Sequence, residues 1–211
     1  MIKAILFDLD GTLIDTREFI FQAYEHALKK HGLESVTREV LSPQIGGGLA
    51  NIYQEIAPTG NIQNLVDSHV SFQNENFHLV QSFPNISSVL DSMKKLGYKI
   101  GIVTSRLKNT PQALIAAGVN NEFDVIVTAD DVQKSKPDPE GIFLALEKLN
   151  IKPSEAIFVG DASVDIQMGK NAKVKTIGAT YGFGGEAIKK SSPDYVASNF
   201  PEVYQIVSKF R

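Results

Sequence analysis

The segment from Ile5 to Asp15, ILFDLDGTLID, determines how the rest of the chain is interpreted. Its apolar run, Ile5–Phe7, ends at two aspartates, Asp8 and Asp10, which one leucine separates. Side chains along a strand alternate with period two, so the two carboxylates are expected to face the same way. Two close carboxylates repel each other unless a cation or a shared proton lies between them. A polar turn and a Mg²⁺ site both remain open at this point, because Mg²⁺ prefers carboxylate oxygens and retained water.

Similar short runs rich in Ile and Val recur along the chain. Counting the first run as a strand over Ala4–Phe7, the others are Lys99–Val103, Asp124–Thr128, Ala156–Val159 and Val174–Ile177, with a sixth candidate strand at Asp194–Ala197. Strands that are buried on both faces form such continuous apolar runs, as in parallel sheets. Helical patterns alternate with these runs, and two of them stop at Gly97 and Gly118. The alternation predicts an α/β fold with a doubly wound parallel sheet.

The stretch between the first strand and Phe83 carries helical patterns in place of a strand. They cover Arg17–His31, Leu49–Ala57 and Ile62–Leu79. A plain crossover helix needs far fewer residues. We therefore expect residues 1–15 and 82–211 to form an α/β core, and residues 16–81 to form a helical cap. The cap would lie at the carboxyl edge of the sheet, where open α/β sheets bind their ligands.

Polar residues follow the later strands as well. Thr104 and Ser105 close the second strand in IVTSR, Lys136 precedes a proline in KSKPDP, and Asp161 and Asp165 follow the fourth strand in AIFVGDASVD. Taken singly, these residues also fit a turn, a surface lysine and a helix N-cap at Asp161. Four acids at one sheet edge, however, would be costly without a cation.

The same motifs resemble those of the haloacid dehalogenase-like hydrolases, and they occur in that family's order. DLDGTLID resembles the first motif, IVTSR the second, SKPDP the third and VGDASVD the fourth, so that the resemblance covers nearly the whole chain. The predicted helical cap resembles the family's helical-cap subclass. The segment GATYGFGGEAIKKSSPDYVASNFPEV resembles the phosphoglycolate phosphatase-like branch, although YGFG stands where a Trp is often found. The resemblance implies a Rossmann-like core with a small all-helical cap.

The resemblance further implies a Mg²⁺-dependent phosphatase that works through an aspartyl-phosphate. Asp8 would be the nucleophile, and Asp10 the general acid and then the general base. Asp8, the backbone carbonyl of Asp10, and Asp161 would hold the metal, while Asp165 would bind it directly or orient a water. Catalytic Thr104 and Lys136, with Ser105, Gly11 and Thr12, would hold the phosphate, and Lys136 would also neutralise Asp8.

Asp10 separates the possible reactions. The dehalogenases proper lack an acid at this position, so that Asp10 favours phosphoryl transfer. A β-phosphoglucomutase-like mutase and a pyrophosphatase remain as alternatives to a phosphoglycolate phosphatase-like enzyme. A regulatory protein that keeps the fold without catalysis is a further alternative, and the complete set of Asp8, Asp10, Lys136 and Asp161 disfavours it.

Three features of the predicted cap are ambiguous. The glycines Gly46 to Gly48 fit either a flexible connector or a close backbone approach to a ligand. Arg17 is either an exposed helix residue or a contact for a second anionic group of the substrate. The histidines show no metal-ligand spacing, and we interpret them as surface or packing residues; they are His26, His31, His69 and His78.

The composition is that of an ordinary globular protein, with 43% hydrophobic and 21% charged residues among 211. A formal net charge of −3 gives no electrostatic indication of nucleic-acid binding. The absence of cysteine excludes disulfides and thiolate chemistry. With no signal-peptide pattern and no long apolar run, we expect a cytoplasmic protein without membrane contacts. The expected partner is a small phosphorylated metabolite, and the expected state a monomer or homodimer.

Overall fold

The computed structural model describes residues 1–46, 48–119 and 123–210, and a parallel sheet forms its centre. The strands of the described chain are β1 (Ala4–Phe7), β2 (Ile14–Asp15), β3 (Gln81–Ser82), β4 (Lys99–Val103), β5 (Val125–Val127), β6 (Ala156–Gly160), β7 (Lys175–Ala179) and β8 (Tyr195–Ala197). The α-helices are α1 (Arg17–Lys30), α2 (Arg38–Leu41), α3 (Leu49–Ile56), α4 (Ile62–Glu75), α5 (Ile86–Lys95), α6 (Thr110–Ala116), α7 (Glu140–Leu149), α8 (Ser163–Asn171) and α9 (Phe200–Val207).

Six strands form the main sheet in the order β5-β4-β1-β6-β7-β8, and all neighbouring pairs are parallel. The predicted doubly wound α/β fold is confirmed. The first strand lies in the middle, with β4 on one side and β6 on the other. The direction of winding therefore reverses at β1. In open α/β sheets this switch point is where ligands bind, outside the carboxyl ends of the strands.

Helices cover both faces of the sheet, which explains the unbroken apolar runs. Ile5 and Phe7 belong to the same buried cluster as Leu90 of α5. Leu6, which faces the other way, lies in a second cluster with Ile142 of α7 and Met168 of α8. A strand with apolar neighbours above and below has no reason to alternate with polar residues.

Four helices, α1 to α4, lie between β2 and β3, and we refer to residues 16–81 as the helical segment. The two short strands pair antiparallel, Ile14 with Ser82 and Asp15 with Gln81, so they hold the two ends of the segment together. Inside the segment, aromatic rings meet between α1 and α4. The ring of Tyr24 lies 4.6 Å from that of His69, centroid to centroid.

The segment departs from its sequence pattern in two places. The fourth helix ends at Glu75 and a 3₁₀ turn follows at Phe77–Leu79, where the pattern predicted one helix to Leu79. The short helix α2 was not predicted, because four residues carry no periodicity. Of the three glycines Gly46 to Gly48 in the helical segment, Gly47 lies outside the described residues. In the part of the chain that the structure describes, no helix is both long and apolar enough to cross a membrane.

Candidate active site

Three buried carboxylates meet at the carboxyl edge of the sheet. Asp8 directly follows β1, and its backbone N–H donates to the carbonyl of Val159 on β6 (2.8 Å). Asp161 directly follows β6, and Asp165 lies in the first turn of α8. One oxygen from each of the three lies within 4.8 Å of the others. The sequence pattern of acids after separate strands thus corresponds to one cluster in space.

Lys136 joins two members of this cluster. Its Nζ donates to Oδ1 of Asp8 at 2.6 Å and to Oδ1 of Asp165 at 2.8 Å, and all three side chains are buried. Burial alone would lower the pKa of Lys136, but the charges of Asp165 and Asp8 raise it above its ordinary value. The neighbouring Lys134 is exposed and pairs with Asp138 at 3.6 Å. The lysine before the proline is therefore the one directed into the site.

The carboxylates carry more negative charge than one lysine balances. Burial raises the pKa of Asp8 to about 7, and the charge of Asp165 adds to this while Lys136 opposes it. Burial, with the charges of Asp165 and Asp8, raises the pKa of Asp161 well above its ordinary value. Both raised pKa values indicate that the ionised carboxylates of Asp8 and Asp161 are destabilised unless a further positive charge is present. Three clustered carboxylates are a donor set that fits Mg²⁺.

Asp161 is held in place by two donors. The hydroxyl of Thr12 donates to Oδ1 at 3.0 Å, and the backbone N–H of Phe183 donates to Oδ2 at 2.6 Å. The alternative interpretation of Asp161 as the N-cap of α8 is wrong. Ala162 holds the N-cap position, and its own N–H donates to Oδ2 of Asp165 at 3.0 Å. The carboxylate of Asp161 is thus bound from outside the helix.

The loop that supplies the Phe183 donor packs tightly under the cluster. A Cβ added to Gly182 would collide with the carbonyl oxygen of Gly11 and with the side chain of Asp161. Gly11 itself has a φ of +85°, a conformation that residues with a side chain rarely adopt. Gly11 and Gly182 are therefore required by packing around Asp161.

Asp10 lies outside the cluster and pairs with a different cation. Arg106 Nη2 donates to Oδ1 of Asp10 at 2.5 Å, and Nε donates to Oδ2 at 3.1 Å. The Arg106 side chain is only 3% exposed. The sequence interpretation missed this residue although it closes the quoted motif IVTSR. An arginine directly after a strand-end Thr-Ser was the available signal.

Thr104 and Ser105 occupy different surroundings. Oγ1 of Thr104 accepts the backbone N–H of Arg106 at 3.1 Å, and the residue is buried at the sheet edge. The hydroxyl of Ser105 donates to the carbonyl of Gly46 at 2.7 Å. Ser105 therefore links the core edge to the helical segment, while Thr104 lines the same cavity as Asp8 and Asp10.

A cavity of about 370 Å³ separates the sheet edge from the helical segment. Its lining includes Asp8, Asp10, Thr104, Ser105, Arg106 and Lys136 from the core, with Tyr24, His69 and Gln73 from the helical segment. A ligand in this space would touch both parts of the chain at once.

His69 lines this cavity as an uncharged residue. Its Nδ1 lies 3.0 Å from the Tyr53 hydroxyl, and its Nε2 lies 3.0 Å from Nε2 of Gln73. Burial, together with the positive charge of Arg106, lowers the pKa of His69 to about 3. With both ring nitrogens occupied and no charge near neutral pH, His69 packs the segment, in accord with its interpretation from sequence.

Comparison with known proteins gives the same family as the motifs. The model of a haloacid dehalogenase-like hydrolase family matches residues 5–179, from the first strand to the end of β7. The chain belongs to this family. The cluster, the lysine and the arginine-bound aspartate described above all lie within the matched residues, and the resemblance stated from the motifs is confirmed.

Relatives of this hydrolase are phosphatases by name. It is 38% identical over 208 residues, 97% of its length and 96% of the relative's, to a protein from Bacillus velezensis named pyrophosphatase PpaX. A predicted phosphatase from Clostridium acetobutylicum shares 25% identity, covers 99% of each chain and has a TM-score of 0.88. A predicted phosphoglycolate phosphatase from Haemophilus somnus, at 24% identity, covers 98% of each chain with the same TM-score. The chain is accordingly a hydrolase with phosphatase activity.

Proposed function

We propose that this hydrolase is a Mg²⁺-dependent phosphatase that cleaves a small phosphorylated metabolite through an aspartyl-phosphate on Asp8. The observation that carries this proposal is the position of Lys136 Nζ, bonded to both Asp8 and Asp165 within a cluster of three buried carboxylates. This arrangement leaves Asp8 paired and oriented at the edge of the cavity. The phosphatase names of the relatives support the same reaction class.

Asp8 supplies the bond to phosphorus. Lys136 fixes Oδ1 of Asp8, so its second oxygen is left to attack. As the new O–P bond forms, the bond from phosphorus to the leaving oxygen breaks, and the electron pair stays on that oxygen. Asp8, Asp161, Asp165 and the backbone carbonyl of Asp10 are the groups that would hold Mg²⁺. When bound, the ion offsets the repulsion between carboxylate and phosphate.

Asp10 moves the proton. Its carboxyl lies at the cavity and outside the carboxylate cluster, so it is available to the leaving oxygen. In the first step it gives a proton to that oxygen. In the second it takes a proton from a water that attacks the phosphorus of the aspartyl-phosphate. The O–P bond to Asp8 then breaks, which releases inorganic phosphate and restores the Asp8 carboxylate.

Donors at the sheet edge hold the transferring oxygens. An ammonium has three N–H groups, and Lys136 uses two of them on Asp8 and Asp165, so one remains. Thr104 accepts a bond from Arg106 with a lone pair, and its own O–H is still a donor. Thr12 uses its hydroxyl on Asp161, so its part is to position that carboxylate. Gly11, with its φ of +85°, allows the turn between Asp10 and Thr12.

The helical segment, residues 16–81, would act as the cap. Among the described residues, and away from the two chain connections, three side-chain hydrogen bonds cross between the core and the segment: Ser105 to Gly46 at 2.7 Å, Asn51 to Ser135 at 3.5 Å and Asn109 to Asn74 at 3.3 Å. Such few contacts are compatible with opening for substrate entry and product release. Ser105 would contribute to phosphate binding once its hydroxyl leaves the carbonyl of Gly46 and donates to a phosphate oxygen.

Two substrates have specific support. The carboxyl-terminal motifs favour phosphoglycolate, and the relative named pyrophosphatase favours pyrophosphate as the second candidate. A mutase would instead convert one phosphorylated sugar into another. The expected cytoplasmic location, and the monomer or homodimer, are likewise part of the proposal.

A phosphate-release screen tests the function. Wild-type protein is assayed with Mg²⁺, and separately with a chelator, on phosphoglycolate, pyrophosphate, sugar phosphates and nucleotides. We expect release only with Mg²⁺, its loss in Asp8→Asn, and full activity in Asp67→Asn, which changes an exposed aspartate of α4. Substantial turnover by Asp8→Asn would refute the nucleophile assignment. A phosphorylated sugar product without free phosphate would favour the mutase.

A further inference from the structure

Arg106 carries a buried nitrogen that lacks a partner within the described chain. Its Nε and Nη2 bind Asp10, while Nη1 is buried and has no hydrogen-bond partner. The ring of Phe19 lies 5.1 Å from the guanidinium carbon, but a phenyl ring offers no oxygen or nitrogen acceptor. Buried polar groups in folded proteins are nearly always paired, so that Nη1 calls for a ligand or a water.

Within the described residues, the part of the helical segment that lines the cavity contributes no Asp or Glu. His69 on the segment side is neutral near physiological pH, since both its ring nitrogens are occupied and its pKa is low. Tyr24 and Gln73, which line the same cavity, are uncharged.

The position of Asp10 tells which part of a substrate would meet Arg106. Asp10 protonates the leaving oxygen, so the leaving group lies against Asp10, and Arg106 is bonded to that same carboxylate. Lys136 is bonded to Asp8 and not to Asp10. A guanidinium presents N–H groups in a fixed fork, which suits the oxygens of a carboxylate or a phosphate.

We infer that Arg106 is a specificity-determining residue that binds a second anionic group, a phosphate or a carboxylate, on the leaving group of the substrate. This inference rests on the proposed function, because the leaving-group side is defined by the role of Asp10. It restricts the substrate class to compounds in which the scissile phosphate and a further anion lie a few bonds apart. Phosphate esters with an uncharged leaving group would leave Nη1 unpaired. Arg17, an alternative for this role, is 45% exposed and pairs with Asp15.

Binding of uncleavable phosphonates tests the inference independently of turnover. With Mg²⁺ present, titration calorimetry compares methylenediphosphonate, phosphonopropionate and propylphosphonate, which carry a second phosphonate, a carboxylate and no second anion. The proteins are wild type, Arg106→Lys and the matched control Lys134→Gln, which removes an exposed cation at the rim of the cavity. A lost charge-assisted hydrogen bond corresponds to about a tenfold or larger loss of affinity.

We expect the wild type to prefer at least one doubly anionic ligand over propylphosphonate by about tenfold or more. Arg106→Lys should remove most of this preference, and Lys134→Gln should keep it. A preference for methylenediphosphonate alone identifies the second anion as a phosphate, and one for phosphonopropionate alone as a carboxylate. Equal binding of the three ligands by the wild type would overturn the inference without any variant. If Arg106→Lys lowers the affinity for all three ligands equally, Arg106 only positions Asp10 and the inference is wrong. If the preference is present but no phosphomonoester is cleaved, the catalytic proposal fails and the anion site stands.

Discussion

Replacing His69 with glutamine tests whether this histidine is buried and neutral in the folded protein. The ring lies between Tyr24 of α1, Tyr53 of α3 and Gln73 of α4, with Arg106 as the charged group on the core side. Burial, aided by Arg106, lowers its pKa from 6.5 to about 3. The unfolded chain therefore binds a proton at His69 before the folded protein does. Acid favours the unfolded state from about pH 6.5 down to about pH 3.

The size of the effect follows from this pKa difference. Each pKa unit corresponds to about 1.4 kcal/mol, so His69 should remove about 2 kcal/mol of the free energy of unfolding between about pH 7 and pH 5. Asp8 and Asp161 have raised pKa values, and they act in the opposite direction. Because wild type and His69→Gln share those groups, the difference between the two proteins isolates the histidine.

Urea unfolding at several pH values, with chelator present, measures this difference. At about pH 7 the variant should be less stable, since glutamine cannot reproduce both ring hydrogen bonds. On acidification to about pH 5 the wild type should lose about 2 kcal/mol relative to the variant. His78→Gln, which changes an exposed histidine, should follow the wild type at every pH. Parallel curves for wild type and His69→Gln would show that His69 titrates normally, and would refute its buried neutral state.

Three further changes address the site. Thr12→Val removes the 3.0 Å hydrogen bond to Asp161 and should lower stability by about 1–3 kcal/mol in urea unfolding, because a buried carboxylate loses a donor; an unchanged midpoint would contradict this. Gly182→Ala places a methyl group against Asp161 and should raise the Mg²⁺ concentration needed for half-maximal phosphate release; Gly32→Ala, whose added Cβ meets no atom within 4 Å, should leave that concentration unchanged. Lys136→Met leaves two buried carboxylates unpaired and should cost about 3–5 kcal/mol in chelator, with part of the loss restored by Mg²⁺. Equal losses with and without Mg²⁺ would argue against metal binding by this cluster.

Much of the fold could be predicted from the sequence because each strand of the main sheet is buried on both faces. Runs such as AILF and KIGIV allow few other interpretations, and the structure begins and ends β1 and β4 at the predicted residues. The glycines that ended two helical patterns have positive φ, +88° at Gly97 and +69° at Gly118. The short strands β2 and β3 were missed, because two residues each carry no pattern and pair only through the tertiary fold.

The acids and the lysine of the site were visible for a different reason. Asp8, Asp161 and Lys136 follow strands or precede a proline, so their backbone positions are set locally. Their partners were not visible, because these partners come from distant parts of the chain. Phe183 donates to Asp161 from 22 residues away, and Arg106 reaches Asp10 across 96 residues. Arg106 was overlooked although it directly follows a strand-end Thr-Ser, because its local sequence does not identify a partner 96 residues away.

Asp8 and Asp10 share one edge of the sheet but pair with different cations. Both were expected to face the same way, and both line the cavity. Asp8 is bonded to Lys136 and Asp10 to Arg106, while the buried Leu9 between them packs in the core. Under the proposed mechanism, one aspartate forms a bond to phosphorus and the other transfers a proton. A lysine supplies a compact charge to the bond-forming carboxylate, whereas the fork of an arginine can hold the proton-transferring carboxylate and still face the leaving group. The division of labour between Asp8 and Asp10 therefore depends on which cation each one meets.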